Sequence, residues 1–542
     1  MNLSLVLLSA FLLPVYAVGA PGLTVQTQQG PVVGTLVVPT VRQFLGIPYA
    51  TADRWKPPHL PAVRKGVFQA TKFGDSCIQE LSPPNVEFLK LAGGLGINVT
   101  SSEDCMSVNI WAPSVERKQK TSVMIWIYGG GFVFGTSLCN MILTIDAEKS
   151  NIPVYDGQNF VRDNDDVTIV TFNYRTNIFG QPNAPQLGKD NLNFGLLDID
   201  AAVQWVHANI ANFGGDPDRI ILFGQSAGAA ATDAYTFAHP NDTIVKGKYR
   251  QARILAITLS DLTIQGVIQE SGSISGSGVL VIASTSANQS AWNTVAASVG
   301  CGQAPTPSQF ACMQKTEANT LENAVVSTGA TFNLVIDNTT IFADTNARAA
   351  NGQFLHVPLL GGTAANEDDI FIVAQELVTA GIVIPSVTEM LSDVETLLGF
   401  TCPAGVTALH RINANVPTWR YQHQAVFPDI STRPDLRAYH ASEIPLVFGT
   451  YNVSDIPATQ EEVALSRYIQ SAWVAFARNP AQGLLDFGWP MYNPNTTSLA
   501  QLGNAANQTG VVFTQGNLVD FACGNQAALI EIQNQLLGIL GA

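Results

Sequence analysis

The chain has 542 residues, of which 46% are hydrophobic and 13% are charged, and its formal net charge is −15 at pH 7. This composition excludes a disordered chain, and the acidic balance argues against nucleic acid and anionic membranes as partners. The length permits several domains, but single α/β domains with long insertions also reach this size.

The first predicted element is an apolar run over residues 3–17, which is short for a bilayer span and is followed by small residues at Ala17 and Ala20. This pattern predicts a secretory signal peptide over residues 1–20. We see no other candidate membrane segment, so we expect a secreted, extracellular protein without an integral membrane segment. Seven glycosylation sequons fit that location, and they begin at Asn98, Asn241, Asn288, Asn338, Asn452, Asn495 and Asn507.

Apolar strand patterns and helical patterns alternate through the rest of the chain. Strands are predicted within 123–132, 167–175, 219–224, 266–273 and 357–363, where the first and the last two of these segments end in a turn, and helices are predicted at 196–213 and 226–238. The uniformly apolar strands predict an α/β protein with a mostly parallel central sheet and helices on both faces. No repeat or linker divides residues 21–542, so we expect a single domain whose site lies at the carboxyl ends of the strands.

Three consecutive glycines, residues 129–131, follow the first of these strands. Backbone N–H groups in such a turn can approach a substrate closely because no Cβ intervenes. Together with the N–H of Ala227, they predict an oxyanion hole for acyl transfer. A flexible turn without chemistry is the alternative.

Ser226 lies between a predicted strand and a predicted helix in the stretch Gly-Gln-Ser-Ala-Gly, residues 224–228. This is the arrangement of a nucleophile elbow, in which glycines permit a tight turn and the helix amino terminus favours negative charge. A structural turn is the alternative, since Gly-x-Ser-x-Gly alone occurs often by chance. The strand–turn–helix context favours a nucleophile.

A serine nucleophile of this kind is followed along the chain by an acid and then a base. His440 lies in a polar loop ahead of an apolar segment, where an imidazole can reach a serine, whereas His423 lies in an alternating strand and is expected to be structural. Three adjacent acids, Glu367, Asp368 and Asp369, follow a predicted strand, and spacing alone does not choose among them. The other downstream histidines are His239, His356 and His410.

Seven cysteines are present, and none forms a Cys/His cluster that suggests a metal site. A secreted chain can form disulfides, and the sequence-local pairs favoured are Cys77–Cys105 and Cys301–Cys312. The partners of Cys139, Cys402 and Cys523 stay open.

Several stretches together resemble the type-B carboxylesterase/lipase family, the cholinesterase-like branch of the α/β-hydrolases, in its fungal secreted form. They include "FLGIPYA" (44–50), "WIYGGGF" (126–132), residues 195–229, "QESGS" (269–273) and "AYHASEIPLVFG" (438–449). The resemblance covers nearly the whole mature chain and implies an α/β-hydrolase fold with a lid or insertion region. It also supports the two favoured disulfides.

The same resemblance implies a catalytic triad and an oxyanion hole. It places the nucleophile on Ser226, the base on His440 and the orienting acid on Glu367. It places the oxyanion donors on Gly130, Gly131 and Ala227. The reaction it implies is hydrolysis of a carboxylic ester through an acyl-enzyme, without a cofactor or metal. The family often has Glu before the serine, where this chain has Gln225. The sequence does not indicate whether this exchange favours or disfavours the reaction.

The substrate expected from the resemblance is a small-molecule or lipid ester, and the sequence does not choose between a carboxylesterase and a lipase. Residues 86–98, inside the loop closed by Cys77 and Cys105, correspond to a lid over an acyl pocket, with a plain surface loop as the alternative. A catalytically silent recognition or adhesion protein on the same fold is the alternative function. A peptidase with a similar triad is disfavoured.

Two segments depart from the family pattern, residues 136–151 and 247–265. We hypothesise that one or both are translated introns. Real surface loops are the alternative, because long insertions cost little loop entropy.

Overall fold

The computed structural model describes residues 22–93, 97, 99–137, 154–188, 192–240, 264–274, 285–379 and 384–540. The predicted signal peptide, Cys139, Asn98 and Asn241 lie outside the described residues, as do most of the two unusual segments at 136–151 and 247–265. The side chain of Asn288 also lies outside the description.

The described strands form one large sheet and one small sheet. Their bounds are β1 (Thr24–Thr27), β2 (Gly30–Val33), β3 (Thr35–Val38), β4 (Val41–Pro48), β5 (Phe68–Gln69), β6 (Ser107–Pro113), β7 (Thr121–Ile127), β8 (Val167–Phe172), β9 (Gly215–Gln225), β10 (Ile264–Glu270), β11 (Leu359–Ala364), β12 (Thr418–His423), β13 (Thr497–Asn504) and β14 (Asn507–Gln515).

The large sheet has eleven strands in the order β14-β13-β12-β11-β10-β9-β7-β8-β6-β4-β3. All neighbours from β13 to β8 pair in parallel, whereas the pairs at both edges are antiparallel. The predicted mostly parallel sheet is therefore confirmed. β1, β2 and β5 form the small separate sheet.

The central strands are mostly buried, as parallel strands covered by other elements require. Every residue of β7 (TSVMIWI) and of β8 (VTIVTF) is buried. β9 extends further toward its amino end than the sequence predicted, and its last six residues, Ile220–Gln225, are buried.

The described helices surround this sheet. Their bounds are α1 (Pro83–Leu91), α2 (Gln158–Asp163), α3 (Asn177–Gly180), α4 (Phe194–Asn209), α5 (Ala227–Ala238), α6 (Thr285–Ser298), α7 (Pro307–Lys315), α8 (Ala318–Thr328), α9 (Thr345–Ala350), α10 (Asp369–Val378), α11 (Pro385–Thr396), α12 (Cys402–Asn413), α13 (Ile444–Phe448), α14 (Gln460–Arg478), α15 (Gly483–Asp486), α16 (Gly516–Val519) and α17 (Gln526–Leu540). None of the helices in the described part of the chain has the length and apolarity needed to cross a bilayer.

The two helices predicted around the serine form with small changes at their ends. α4 runs from Phe194 to Asn209, and a 3₁₀ turn, Ile210–Phe213, completes the predicted segment because Gly214 adopts φ 98° and stops it. α5 begins at Ala227, one residue after Ser226, and packs against β9 and β10. The serine therefore lies at the carboxyl edge of the sheet's centre.

Candidate active site

Ser226 occupies a strained turn between β9 and α5. Its backbone has φ 57° and ψ −123°, a left-handed conformation that a non-glycine residue rarely adopts. Its N–H donates to the carbonyl oxygen of Glu270 at 2.8 Å. A Cβ on Gly228 would lie 1.8 Å from the carbonyl oxygen of Ile127, so only glycine permits the close approach of α5 to β7. Strain of this kind is typical of functional turns.

The glycine turn that follows β7 lies against the serine. A Cβ on Gly129 would lie 2.8 Å from the Cβ of Ser226, and Gly130 and Gly131 adopt φ 104° and 62°. In the described residues, the N–H groups of Gly130, Gly131 and Ala227 donate to no protein acceptor. The structure thus places the three predicted oxyanion donors beside the predicted nucleophile, with their hydrogens free for a ligand.

The imidazole of His440 is fixed by Glu367. Nδ1 of His440 donates to Oε2 of Glu367 at 2.6 Å, and the backbone N–H of His440 donates to the carbonyl oxygen of Glu367 at 3.1 Å. The other carboxylate oxygen, Oε1, accepts the N–H of Ala364 at 2.6 Å. Both side chains are buried, with 1% of His440 and none of Glu367 exposed. This arrangement leaves Nε2 as the ring nitrogen that can accept a proton.

The other ring nitrogen of His440 contacts Gln225, the residue before the serine. Nε2 of the Gln225 amide lies 3.1 Å from Nε2 of His440. Among the described residues, the hydroxyl of Ser226 makes no hydrogen bond, so Nε2 of the imidazole is hydrogen-bonded to the amide and not to the nucleophile in this state. Catalytic hydrogen bonds are often absent until substrate is bound.

The other candidate histidines lie away from this arrangement. His239 contacts Asp200 at 3.1 Å, and His356 contacts the carbonyl oxygen of Gly352 at 2.8 Å. His423 is fully buried on β12, where burial lowers its pKa to about 4. None of these residues lines the cavity that contains Ser226 and His440.

A cavity of about 340 Å³ opens beside the serine. Phenylalanine rings form much of its wall: the ring centroids of Phe371 and Phe400 lie 5.1 and 4.8 Å from that of His440, and Phe88 stacks on Phe371 at 5.1 Å. Phe88 belongs to α1, inside the loop for which the sequence leaves open a lid or a plain surface loop. No lysine or arginine of the described chain lines the cavity. Its polar lining residues include Glu80, Asn85, Ser271, Ser273, Thr331 and Asn333.

Ser271 is a polar residue of this cavity that the sequence analysis did not single out. It follows β10 with φ 57°, is buried, and its hydroxyl has no hydrogen-bond partner among the described residues. The strand-then-turn pattern of residues 266–273 was the available signal, but it does not indicate which hydroxyl faces a ligand.

Three further carboxyls of this region are buried, those of Glu270, Glu443 and Asp368, and of these the sequence patterns had indicated only Asp368, as one of three adjacent acids. Burial raises the pKa of Glu270 to about 8, although Nε1 of Trp473 donates to it at 2.7 Å. Burial, followed by the charges of Glu270 and Glu367, raises the pKa of Glu443 well above its ordinary value. Burial also raises the pKa of Asp368, with the Glu395 carboxyl as the next cause. Burial raises these pKa values because the folded protein disfavours the charged form of each carboxyl.

The structure contains three disulfides. Cys77 bonds to Cys105 and Cys301 bonds to Cys312, the two pairs that the sequence analysis favoured. The third joins Cys402 to Cys523 across 121 residues. The sequence does not predict this bond, because connectivity over such a separation depends on the tertiary fold.

Four of the predicted glycosylation asparagines are exposed in the structure and accessible to modification. They are Asn338, Asn452, Asn495 and Asn507.

Comparison with known proteins gives consistent findings. A family described as the carboxylesterase family matches residues 21–380 and 383–518. The chain is 32% identical over 515 residues to a chlorogenic acid esterase of Aspergillus niger, covering 92% of this chain and 91% of that protein. It is 31% identical over 537 residues to secreted lipase 5 of Gibberella zeae, covering 91% of each chain. An acetylcholinesterase of Electrophorus electricus is 37% identical over 221 residues, 39% of this chain and 32% of its own.

Proposed function

Because the chain belongs to the carboxylesterase family and is a carboxylic ester hydrolase, we propose that Ser226, His440 and Glu367 carry out its reaction. The observation that supports this most strongly is the hydrogen bond of 2.6 Å between Nδ1 of His440 and Glu367, in a cavity that also contains Ser226. A nucleophile, a base and an acid that orients the base are the minimum set for acyl transfer by serine.

In the first half of the proposed reaction, the hydroxyl of Ser226 attacks the ester carbonyl while Nε2 of His440 takes its proton. The carbonyl oxygen becomes an oxyanion, which accepts hydrogen bonds from the N–H groups of Gly130, Gly131 and Ala227. Glu367 stabilises the imidazolium that forms. The tetrahedral intermediate then collapses, the ester C–O bond breaks, and the leaving alcohol takes the proton from His440.

In the second half, water attacks the acyl-enzyme. His440 accepts a proton from the water, the oxyanion forms again in the same donors, and the C–O bond to Ser226 breaks. The serine oxygen recovers its proton from the imidazolium and the carboxylic acid leaves. Each group therefore returns to its starting protonation state.

We propose that the substrate is a neutral ester with an aromatic or short apolar acyl group. The rings of Phe88, Phe371 and Phe400 in the cavity wall suit such a group. The cavity volume of about 340 Å³ is near the small end of the range for ligand cavities. Since Glu80 is a carboxylate in the lining and no described lysine or arginine balances it, an anionic acyl group is disfavoured. The names of two relatives, a chlorogenic acid esterase and a secreted lipase, fit aromatic and apolar acyl groups respectively.

The test is hydrolysis of nitrophenyl esters of increasing acyl length and of a methyl hydroxycinnamate, with the parent and with Ser226→Ala. We expect hydrolysis of the short and aromatic esters, and a loss of at least about 10⁴-fold in kcat for Ser226→Ala. Faster hydrolysis of long acyl chains, with activity that increases at a lipid–water interface, would instead favour a lipase. No hydrolysis by the parent of any ester would favour the silent recognition protein.

We also propose that the protein is secreted after removal of residues 1–20 and is glycosylated at its exposed sequons. Three disulfides support this proposal, because such bonds persist in oxidising compartments. Mass spectrometry of the protein from culture medium, before and after enzymatic deglycosylation, tests the cleavage site and the modified asparagines together. An intact residue 1 in the exported protein would contradict the cleavage.

A further inference from the structure

Gln225 contacts the proton-accepting nitrogen of the proposed base. Its amide Nε2 lies 3.1 Å from Nε2 of His440, and the side chain is buried at the last position of β9. The contact joins residues that are 215 positions apart in the chain. Nothing in the proposed mechanism assigns a task to this amide.

Only one assignment of hydrogens fits these contacts. Nδ1 of His440 carries a hydrogen because it lies 2.6 Å from a carboxylate oxygen of Glu367, which is an acceptor. In the neutral ring Nε2 then has a lone pair, and the Gln225 amide nitrogen, which is only a donor, donates into it. The amide oxygen faces the glycine turn, 2.9 Å from the position that a Cβ on Gly129 would take.

With the Gln225 amide in the orientation that the structure shows, protonation of His440 would replace this hydrogen bond by a repulsive contact. The imidazolium carries a hydrogen on Nε2, which would point at the N–H hydrogens of the amide. The amide therefore favours the neutral imidazole, which is the form that acts as a base. A carboxylate at the same position would have the opposite effect, because a negative charge favours the imidazolium.

We propose that Gln225 is a positioning residue that keeps His440 neutral in the free enzyme and so extends hydrolysis to lower pH. In the free enzyme the Gln225 amide donates to the lone pair of Nε2 of His440. When substrate is bound, the hydroxyl of Ser226 takes the place of the amide as the donor. This inference rests on the proposed roles of Ser226 and His440. It also gives the direction of the effect of having Gln instead of Glu at position 225, namely to favour the neutral form of His440.

The other titratable groups around His440 are the same in all the variants compared. Glu367 faces Nδ1 and is present in every variant. Glu443, Asp368 and Tyr421 interact electrostatically with Glu367, and Glu270 interacts with Glu443 and Tyr421. Burial raises the pKa of each of these four groups above its ordinary value. Glu80 lines the cavity, and burial raises its pKa too, but it is the same in all the variants compared.

The test compares the pH dependence of kcat/KM in the parent, Gln225→Met and Gln225→Glu between pH 4 and 8. The substrate is p-nitrophenyl acetate, followed at a wavelength where product absorbance does not depend on pH, with active sites counted by a covalent inhibitor. Methionine keeps the length of glutamine and removes the donor. We expect the acidic limb to move to higher pH by about half to one unit for Gln225→Met. For Gln225→Glu we expect a shift of at least about one unit, a tenfold loss of kcat/KM at a pH on that limb.

Two controls separate this inference from its alternatives. Gln269→Met is the matched control, because Gln269 is a buried glutamine on neighbouring β10 whose amide donates to Asp233 at 3.2 Å and does not line the cavity. Its acidic limb should coincide with that of the parent. Ser226→Ala should be inactive, and hydrolysis by this variant would overturn the proposed function itself.

An unchanged acidic limb in an active Gln225→Met enzyme would overturn the inference and leave the proposed function intact. A lower plateau of kcat/KM without movement of the limb would also overturn it, since that is the result of a purely structural role. Movement of the limb in the order parent, Gln225→Met, Gln225→Glu supports it.

Discussion

At the scale of single residues, both oxygens of Glu367 have defined partners. Oε2 accepts from the imidazole of His440 and Oε1 accepts from the N–H of Ala364, each at 2.6 Å. Because the carboxylate is buried, no rotation toward solvent competes with these contacts. The side chain fixes the ring orientation without lining the substrate cavity.

Glu367→Gln should therefore reduce kcat and leave KM nearly unchanged. The amide has no charge to stabilise the imidazolium, and its N–H₂ group can favour the wrong tautomer, so we expect kcat to fall about 10³–10⁴-fold. Steady-state kinetics with p-nitrophenyl acetate measures both constants. Glu461→Gln, at an exposed position at the start of α14, should match the parent. A kcat within tenfold of the parent would contradict the role of Glu367.

At the scale of elements, α5, β7 and the glycine turn form one packed unit. The carbonyl oxygens of Ile127 and Tyr128 would lie 1.8 and 2.8 Å from a Cβ on Gly228, so the first turn of α5 touches the end of β7. The oxyanion turn begins at the next residue, Gly129. Nucleophile and oxyanion donors are thus positioned by a single contact between a helix and a strand.

Gly228→Ala should destabilise the protein and impair hydrolysis together. The added methyl group must push α5 away from β7, which we expect to cost about 1–3 kcal/mol of unfolding free energy. Urea unfolding followed by tryptophan fluorescence measures this loss. Gly66→Ala is the control, because nothing lies within 4 Å of its Cβ position. Equal stability of both variants would show that the contact is looser than the structure indicates.

The predicted lid is also tied to the catalytic elements. α1 packs against α10, which begins two residues after Glu367, and the rings of Phe88 and Phe371 stack between the two helices. The disulfide between Cys77 and Cys105 closes the loop that carries α1. Since Phe88 and Phe371 also form part of the cavity wall, a substitution in α1 should affect both the binding of the acyl group and the position of Glu367.

At the scale of the whole molecule, buried groups make stability depend on pH. Burial raises the pKa of Glu270 from 4.5 to about 8, so its contribution to stability is complete below pH 4.5 and is lost as the pH rises to 8. Burial lowers the pKa of His423 from 6.5 to about 4, so its contribution is complete above pH 6.5 and is lost as the pH falls. Between pH 6.5 and 8 the buried carboxyl of Glu270 therefore acts and the imidazole of His423 does not.

The unfolding free energy should therefore fall between pH 6.5 and 8, by about 1.4 kcal/mol per pH unit for a carboxyl such as Glu270. Glu270→Gln keeps an oxygen that can accept from Trp473 but removes the ionisation, so its pH dependence should be flatter. Thermal unfolding in buffers across this range measures the slope. Glu461→Gln, whose carboxylate is exposed, should keep the parental slope. Parallel slopes for the parent and Glu270→Gln would contradict the assignment.

Local sequence patterns predict the centre of the fold well. The strand expected at 123–132 forms as β7 at Thr121–Ile127, and the helix expected at 226–238 forms as α5 at Ala227–Ala238. Both are uninterrupted apolar or alanine-rich runs bounded by glycine, so local preference and burial agree. The edge strands β3 and β14 were not predicted, because pairing with a neighbour defines them more than their own sequence pattern does.

Long-range contacts set the limit of prediction at the site. The positions of Ser226 and the glycine turn follow from local motifs, and the family resemblance selected Glu367 among three adjacent acids. The contact of Gln225 with His440 and the bond between Cys402 and Cys523 join residues 215 and 121 positions apart. No local sequence pattern contains such pairings. The burial of Glu270 and Glu443 likewise depends on the tertiary fold and not on a local pattern.

The order in which the site's parts occur along the chain has a consequence for synthesis. The glycine turn at 129–131 and Ser226 precede β11 and Glu367, and His440 follows another 73 residues later. A nascent chain or proteolytic fragment that ends before residue 440 can contain a complete elbow but has no base. Ester hydrolysis therefore reports that synthesis has passed residue 440.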